Sequence, residues 1–202
     1  VKQSFRDYII SGPAHGEITT AGGATLDEDQ FAFGSATGTV SKGSLNATVS
    51  GSVRFTGHDM GSGPLLDLTL SNLAITVTGT SGSLIADVHS KALGSGEFTD
   101  LKGVKMATLD LAGHPMTVTV STVALHDVPA VLTEDGADAF GGFYVAGDDL
   151  DPVDFTGTLV GDGSATSNTS TGHASTSTGR TGTSGSGTSQ STGSNSTSAS
   201  QG

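Results

Sequence analysis

Most of this chain is patterned with a period of two. In "LNATVSGSVRFTGH", Val49, Gly51, Val53 and Phe55 fall on one side, and Ser50, Ser52, Arg54 and Thr56 on the other. "LLDLTLSN" sets Leu66, Leu68 and Leu70 against Asp67, Thr69 and Ser71, and "SLIADVHSK" turns Leu84, Ala86 and Val88 inward. "FAFG", "AITVTG", "VKMATLDL" and "MTVTVSTVAL" read the same way, with Gly, Ser, Asn and Asp turns between the runs. Alternation on short segments bounded by turn residues predicts half-buried antiparallel strands. The expected fold is mainly β: two antiparallel sheets, sandwich-like, with short helices at two places where the alternation breaks.

The first break is "VKQSFRDYIISG". Phe5, Tyr8 and Ile9 stand at i, i+3 and i+4 and share one helical face. Ser4 is placed to cap this helix with Asp7 three residues on, and Gly12-Pro13 stops it. The second break is "VLTEDGADAFGG", where Thr133 can cap a short helix with Leu132, Ala137 and Phe140 near the core. "FYVAGDDLDPVDFTGTLVG" then supplies a turn and a last strand.

Composition divides the 202 residues unequally. From Ser164 onward there is no Leu, Ile, Val, Phe, Met, Tyr or Trp. Such a segment cannot bury a core. The expected organisation is one domain over residues 1–161 and a disordered Ser/Thr/Gly-rich tail or linker over 162–202. Opening at Val1 rather than Met, the chain reads as a fragment of a longer protein.

Net charge is −12, and Arg180 is the only charged residue from Ser164 onward, which leaves −13 on the residues before it. That balance opposes nucleic acid, whose phosphates need a basic footprint. There is no cysteine, so disulfides, thiolate metal sites and cysteine nucleophiles are excluded. No apolar run is long enough to span a bilayer as a helix. The six histidines form no zinc-enzyme spacing, and no nucleophile elbow is present, so an enzyme has no residue-level support. Asp148, Asp149, Asp151 and Asp154 lack the oxygen ladder of a calcium loop and read first as a turn stiffened by Pro152.

Tyr8 is one of only two tyrosines and lies on the apolar face of the first helix. It is either a packing residue or a ligand. A phenolate is a hard anionic oxygen suited to ferric iron, and it must shed its proton to bind. Ser4, one turn earlier, sits where free N–H groups favour an anion. A flat ligand with iron at its centre and carboxylates on its edge suits both residues.

"VKQSFRDYI", "VRFTGH", "LDLTLSN", "LIADV", "GADAFGGFY" and "AGDDLDPVDF" occur in that order. Together they resemble the HtaA domain, a region of cell-envelope haem-uptake proteins in corynebacteria and related Gram-positive bacteria. The resemblance spans Val1 to about Phe155. It implies a haem-binding module rather than an enzyme, with ferric protoporphyrin IX as the bound group. It implies Tyr8 as axial ligand, His58 hydrogen-bonded to it, Ser4 on a haem propionate, and Tyr144 as a further binding residue. Phe5, Ile9 and Phe143 are candidates for the apolar wall. The implied location is the cell surface or envelope, and the implied partners are haem donors and other haem-uptake proteins. A structural or adhesive β-domain without haem is the alternative.

Overall fold

The computed structural model describes residues 1–28, 30–91, 96–141, 143–160, 164–167 and 170–171. Helix α1 (Gln3–Ile10) leads into β1 (Glu17–Ala21), β2 (Thr25–Asp27), β3 (Gln30–Phe33), β4 (Ala36–Ser41), β5 (Ser44–Val49) and β6 (Ser52–Asp59). The long strands β7 (Pro64–Thr78), β8 (Ser81–Lys91) and β9 (Phe98–Asp110) follow, then β10 (Thr117–Val118) and β11 (Thr122–Leu132). Helix α2 (Glu134–Ala139) precedes β12 (Asp149–Val160), β13 (Ser164–Ser167) and β14 (Ser170–Thr171). This is the mainly β architecture expected: two antiparallel sheets and two short helices.

The sheets are unequal. Eleven strands form the larger one, in the order β1-β6-β7-β5-β4-β13-β12-β11-β9-β8 with β10 beside β11; β14, β3 and β2 form the smaller. The larger sheet curls because β7 has three partners. Its first half pairs β6 and its second half pairs β5 on one edge, while β8 pairs along the other. The register slips between Ser71 and Ala74, and Asn72 takes φ +50 there. A right-handed twist plus a local irregularity bends a long strand. "LDLTLSN" and "AITVTG" are therefore one strand of 15 residues rather than two.

The predicted alternation holds at the core. Val49, Val53, Phe55, Leu66, Leu68, Leu70, Ala86 and Val88 are all buried. They belong to one cluster with Leu109, Leu125 and Phe155, on which Leu84 packs partly buried. Asp67 departs from the pattern: assigned to the polar face, it is 6% exposed. Arg54 across the ladder explains this, donating from Nε and Nη2 to the two carboxylate oxygens at 2.8 and 2.7 Å. That fork holds the Asp67 carboxyl below its ordinary value, against burial, which acts the other way.

Thr133 caps α2 as expected, its hydroxyl accepting from Gly136 N–H at 3.0 Å. Ser4 does not cap α1. The helix begins one residue before it, with Lys2 extended at the N-cap and no side chain closing the end. The Lys2 carbonyl already accepts from Phe5 N–H at 3.1 Å, so Ser4 lies within the first turn. At the other end, Ser164–Ser167 pair with β4 and β12, and Ser170–Thr171 with β3. These short ladders lie beyond the expected boundary at 161; the rest of the expected tail lies outside the described residues.

Candidate functional site

Helix α1 is pinned at both ends. Near its start Arg6 is 4% exposed, and its Nη1 donates to Val1 C=O at 2.5 Å and to Asp151 Oδ2 of β12 at 2.6 Å. Lys2 pairs with Asp148 at 3.3 Å. Two members of the acidic cluster thus clamp the helix. Asp148 is also held below its ordinary value, first by the Val145 N–H and then by Lys2. On the inner face, Phe5 and Ile9 enter the core at 4% and 0% exposure. Tyr8 follows on the same face but stays half-buried.

At the C-terminal end, the chain turns back at once. Gly12 N–H donates to Asp7 C=O at 2.7 Å, and Gly16 N–H to Ile9 C=O at 2.7 Å. The turn docks on the end of β6, where His58 N–H donates to Ala14 C=O at 2.7 Å. His58 has φ +56, a conformation rare for a residue with a side chain. Gly16 lies so close that a Cβ on it would stand 1.8 Å from Thr56 O.

The result is the central contact of the site. Tyr8 Oη and His58 Nε2, 50 residues apart in sequence, are 2.5 Å apart in space. Phe143 approaches Tyr8 with ring centroids 5.1 Å apart, and Phe5 lies 6.2 Å from Tyr8. Phe5 in turn meets Phe55, Phe140 and Tyr144 at 5.2, 5.5 and 5.7 Å. Phe143 remains 38% exposed, so the cluster opens to solvent beside the tyrosine.

Tyr144 completes the far side. Its ring meets Phe140 edge-on at 5.2 Å, and the Lys2 ammonium stands 5.7 Å from its centroid. Its hydroxyl is buried and finds no hydrogen-bond partner among the described residues. Burial pushes this phenol up to about 12; the neighbouring Ser4 hydroxyl pulls the other way without closing a hydrogen bond. Tyr8, His58, Phe5, Phe143 and Tyr144 are therefore brought together, with the exposed Ser4 beside Tyr144. Ile9 lies beneath them as floor. Sequence reasoning missed Arg6, whose partner Asp151 is 145 residues away, and the close approaches at Gly16 and Gly57. No local signal marks either feature.

A hydroxyl and an imidazole nitrogen at this distance share a proton in either direction. With Nε2 bare, Tyr8 donates; with the proton on Nε2, the imidazole donates to the Tyr8 oxygen. The site thus presents a phenol oxygen, hydrogen-bonded to an imidazole, at the edge of an aromatic surface.

Comparison with known proteins matches residues 1–156 to the family model HtaA (Htaa). The chain belongs to the HtaA family. The N-terminal domain of HtaA from Corynebacterium glutamicum is 30% identical, with 83% of this chain and 92% of that one covered and a TM-score of 0.67. The C-terminal domain of the same protein is also 30% identical, with 83% and 93% covered and a TM-score of 0.68. The haem-binding protein HtaB of that organism shares the fold at 21% identity, with 85% and 89% covered and a TM-score of 0.57. No curated protein matches.

Proposed function

We propose that this HtaA domain captures ferric haem reversibly at the cell envelope and passes it on for iron acquisition. The observation that carries the reading is the 2.5 Å contact between Tyr8 Oη and His58 Nε2 within an aromatic cluster. The donor set fits the cargo. A phenolate is a hard oxygen that prefers ferric to ferrous iron. His58 accepts the proton that Tyr8 gives up, or donates back to the phenolate and tunes its basicity.

Phe143 offers a partly exposed ring for the face of the macrocycle, with Phe5 and Ile9 behind it. Ser4 and Tyr144 supply hydroxyls at the other end of α1, where a propionate edge would meet them, and Lys2 stands nearby as a cation. One oxygen ligand on one face leaves the other open to a donor or acceptor protein. The domain works as a binding and relay module, not an enzyme, and its partners are haem donors and other uptake proteins. HtaB of C. glutamicum is a haem-binding protein of this fold.

The test is a hemin titration of wild type, Tyr8→Phe and His58→Ala followed by visible absorption. Wild type should show a Soret band with the charge-transfer bands of ferric phenolate ligation, and Tyr8→Phe should lose them. His58→Ala should weaken binding about 10–100-fold. A wild-type spectrum equal to free hemin, or charge-transfer bands that persist in Tyr8→Phe, overturns the reading and leaves a structural β-domain.

A further inference from the structure

A second compartment lies inside the curled sheet, away from Tyr8 and His58. It is a cavity of about 140 Å³, walled by Phe31, Leu70, Ile75, Ala86 and Met106 among other apolar side chains. Neither Tyr8 nor His58 lines it. A cavity of this size accommodates a molecule about the size of benzene. It is far too small for a tetrapyrrole.

Its polar groups are few: the main chain of Val1 and the side chains of Arg6, Gln30, Asp151 and Asp154. Arg6 is the informative one. Its Nη1 is committed to Asp151 and to Val1 C=O. Its Nε is buried and has no hydrogen-bond partner among the described residues, on a side chain 5% exposed. A buried N–H without an acceptor is costly, and an arriving acceptor removes that cost. Arg6 is already ion-paired with Asp151, so this wall has no uncompensated positive side chain to hold an anion, and a neutral acceptor suits it best.

We infer that this cavity binds a small neutral apolar molecule carrying one carbonyl or ether oxygen, which accepts a hydrogen bond from Arg6 Nε. Size limits the ligand to roughly the bulk of a substituted benzene ring. Shape and polarity set the class: one apolar body, one acceptor and no charge.

Methionine NMR on the 202-residue chain, without hemin, tests this. Of the three methionines only Met106 lines the cavity, so Met60 and Met116 are internal controls. Acetophenone should shift the Met106 ε-methyl saturably, leave the other two in place, and move the Arg6 Nε–H resonance. Benzoate, the same ring with a charge, should do neither. Ala86→Leu, which fills the cavity, should abolish the Met106 response; the Arg6 resonance in wild type decides the matter if that variant fails to fold. The inference is overturned if Met106 does not respond to acetophenone, if benzoate acts equally, or if xenon alone enters.

Discussion

Gly16 sets the spacing between α1 and β6, and a single methyl group there measures how much the site depends on it. A Cβ at Gly16 would lie 1.8 Å from the Thr56 carbonyl oxygen, and contacts under 3.0 Å are essentially never tolerated. The obstruction is backbone within the β1–β6 ladder, so a rotamer change cannot relieve it. The turn must retreat by about 1.2 Å, the difference between those two distances. Gly16 N–H is bonded to Ile9 C=O, so the helix follows the turn. If α1 takes up the whole movement, Tyr8 Oη moves from 2.5 Å to about 3.7 Å from His58 Nε2, beyond hydrogen-bond reach. Gly16→Ala should therefore cost about 1–3 kcal/mol of stability, the usual range for overpacking. It should also weaken hemin binding about 10–100-fold, as loss of a ligand's supporting partner does. Gly113→Ala is the control, because a Cβ there meets nothing within 4 Å. Thermal melts by circular dichroism and hemin titrations on the same samples separate the two effects. A variant that melts earlier but keeps wild-type charge-transfer bands and affinity would show that helix placement does not govern the site. A variant unchanged in both would refute the packing argument itself.

Two further predictions concern buried polar groups. Tyr144→Phe removes a buried hydroxyl with no hydrogen-bond partner among the described residues, so it should leave stability unchanged or raise it by about 1 kcal/mol, while weakening hemin binding if that hydroxyl meets a propionate. Chemical denaturation and hemin titration check the two halves; a clear loss of stability would mean that the hydroxyl is satisfied. Arg54→Met strands Asp67 and should cost about 1 kcal/mol at neutral pH, the low end for a charged pair because Arg54 is half exposed. Asp67 is held below its ordinary 3.8 by Arg54, so this stabilisation is fully present above 3.8 and fades as pH falls through the lower folded value. The gap between wild type and variant should close on acidification below about 4; a gap that widens there would contradict the assignment.

The strands were legible because their signal is local. Alternation at Val49 to Phe55 and at Leu66 to Leu70 needs only neighbouring residues to be read, and each buried position follows from it. What failed is what depends on a partner. Asp67 looked like a solvent-face residue because nothing near it in sequence announces the Arg54 fork. Asn72 looked like a turn because Asn favours one, yet here a φ of +50 bends a continuous strand as β7 passes from β6 to β5. Ser4 looked like a cap by residue type, but the Lys2 carbonyl had already opened the helix.

The candidate site shows the same division more sharply. Helical spacing puts Phe5, Tyr8 and Ile9 on one face, and that much is visible in twelve residues. Nothing in those residues says that Tyr8 meets a histidine. The meeting depends on three distant conditions: Arg6 held by Asp151, a turn thin enough at Gly16 to lie on β6, and His58 in a left-handed conformation with its N–H on Ala14. The last condition fixes which way the imidazole points. A residue at φ +56 turns its N–H out of the ordinary ladder course, and the Ala14 carbonyl receives it. Such a conformation costs on the order of 1–3 kcal/mol and persists only where surrounding contacts enforce it. Packing alone would not require it, since a glycine at that position would keep the same hydrogen bond without strain. The strain is carried at the residue whose imidazole meets Tyr8.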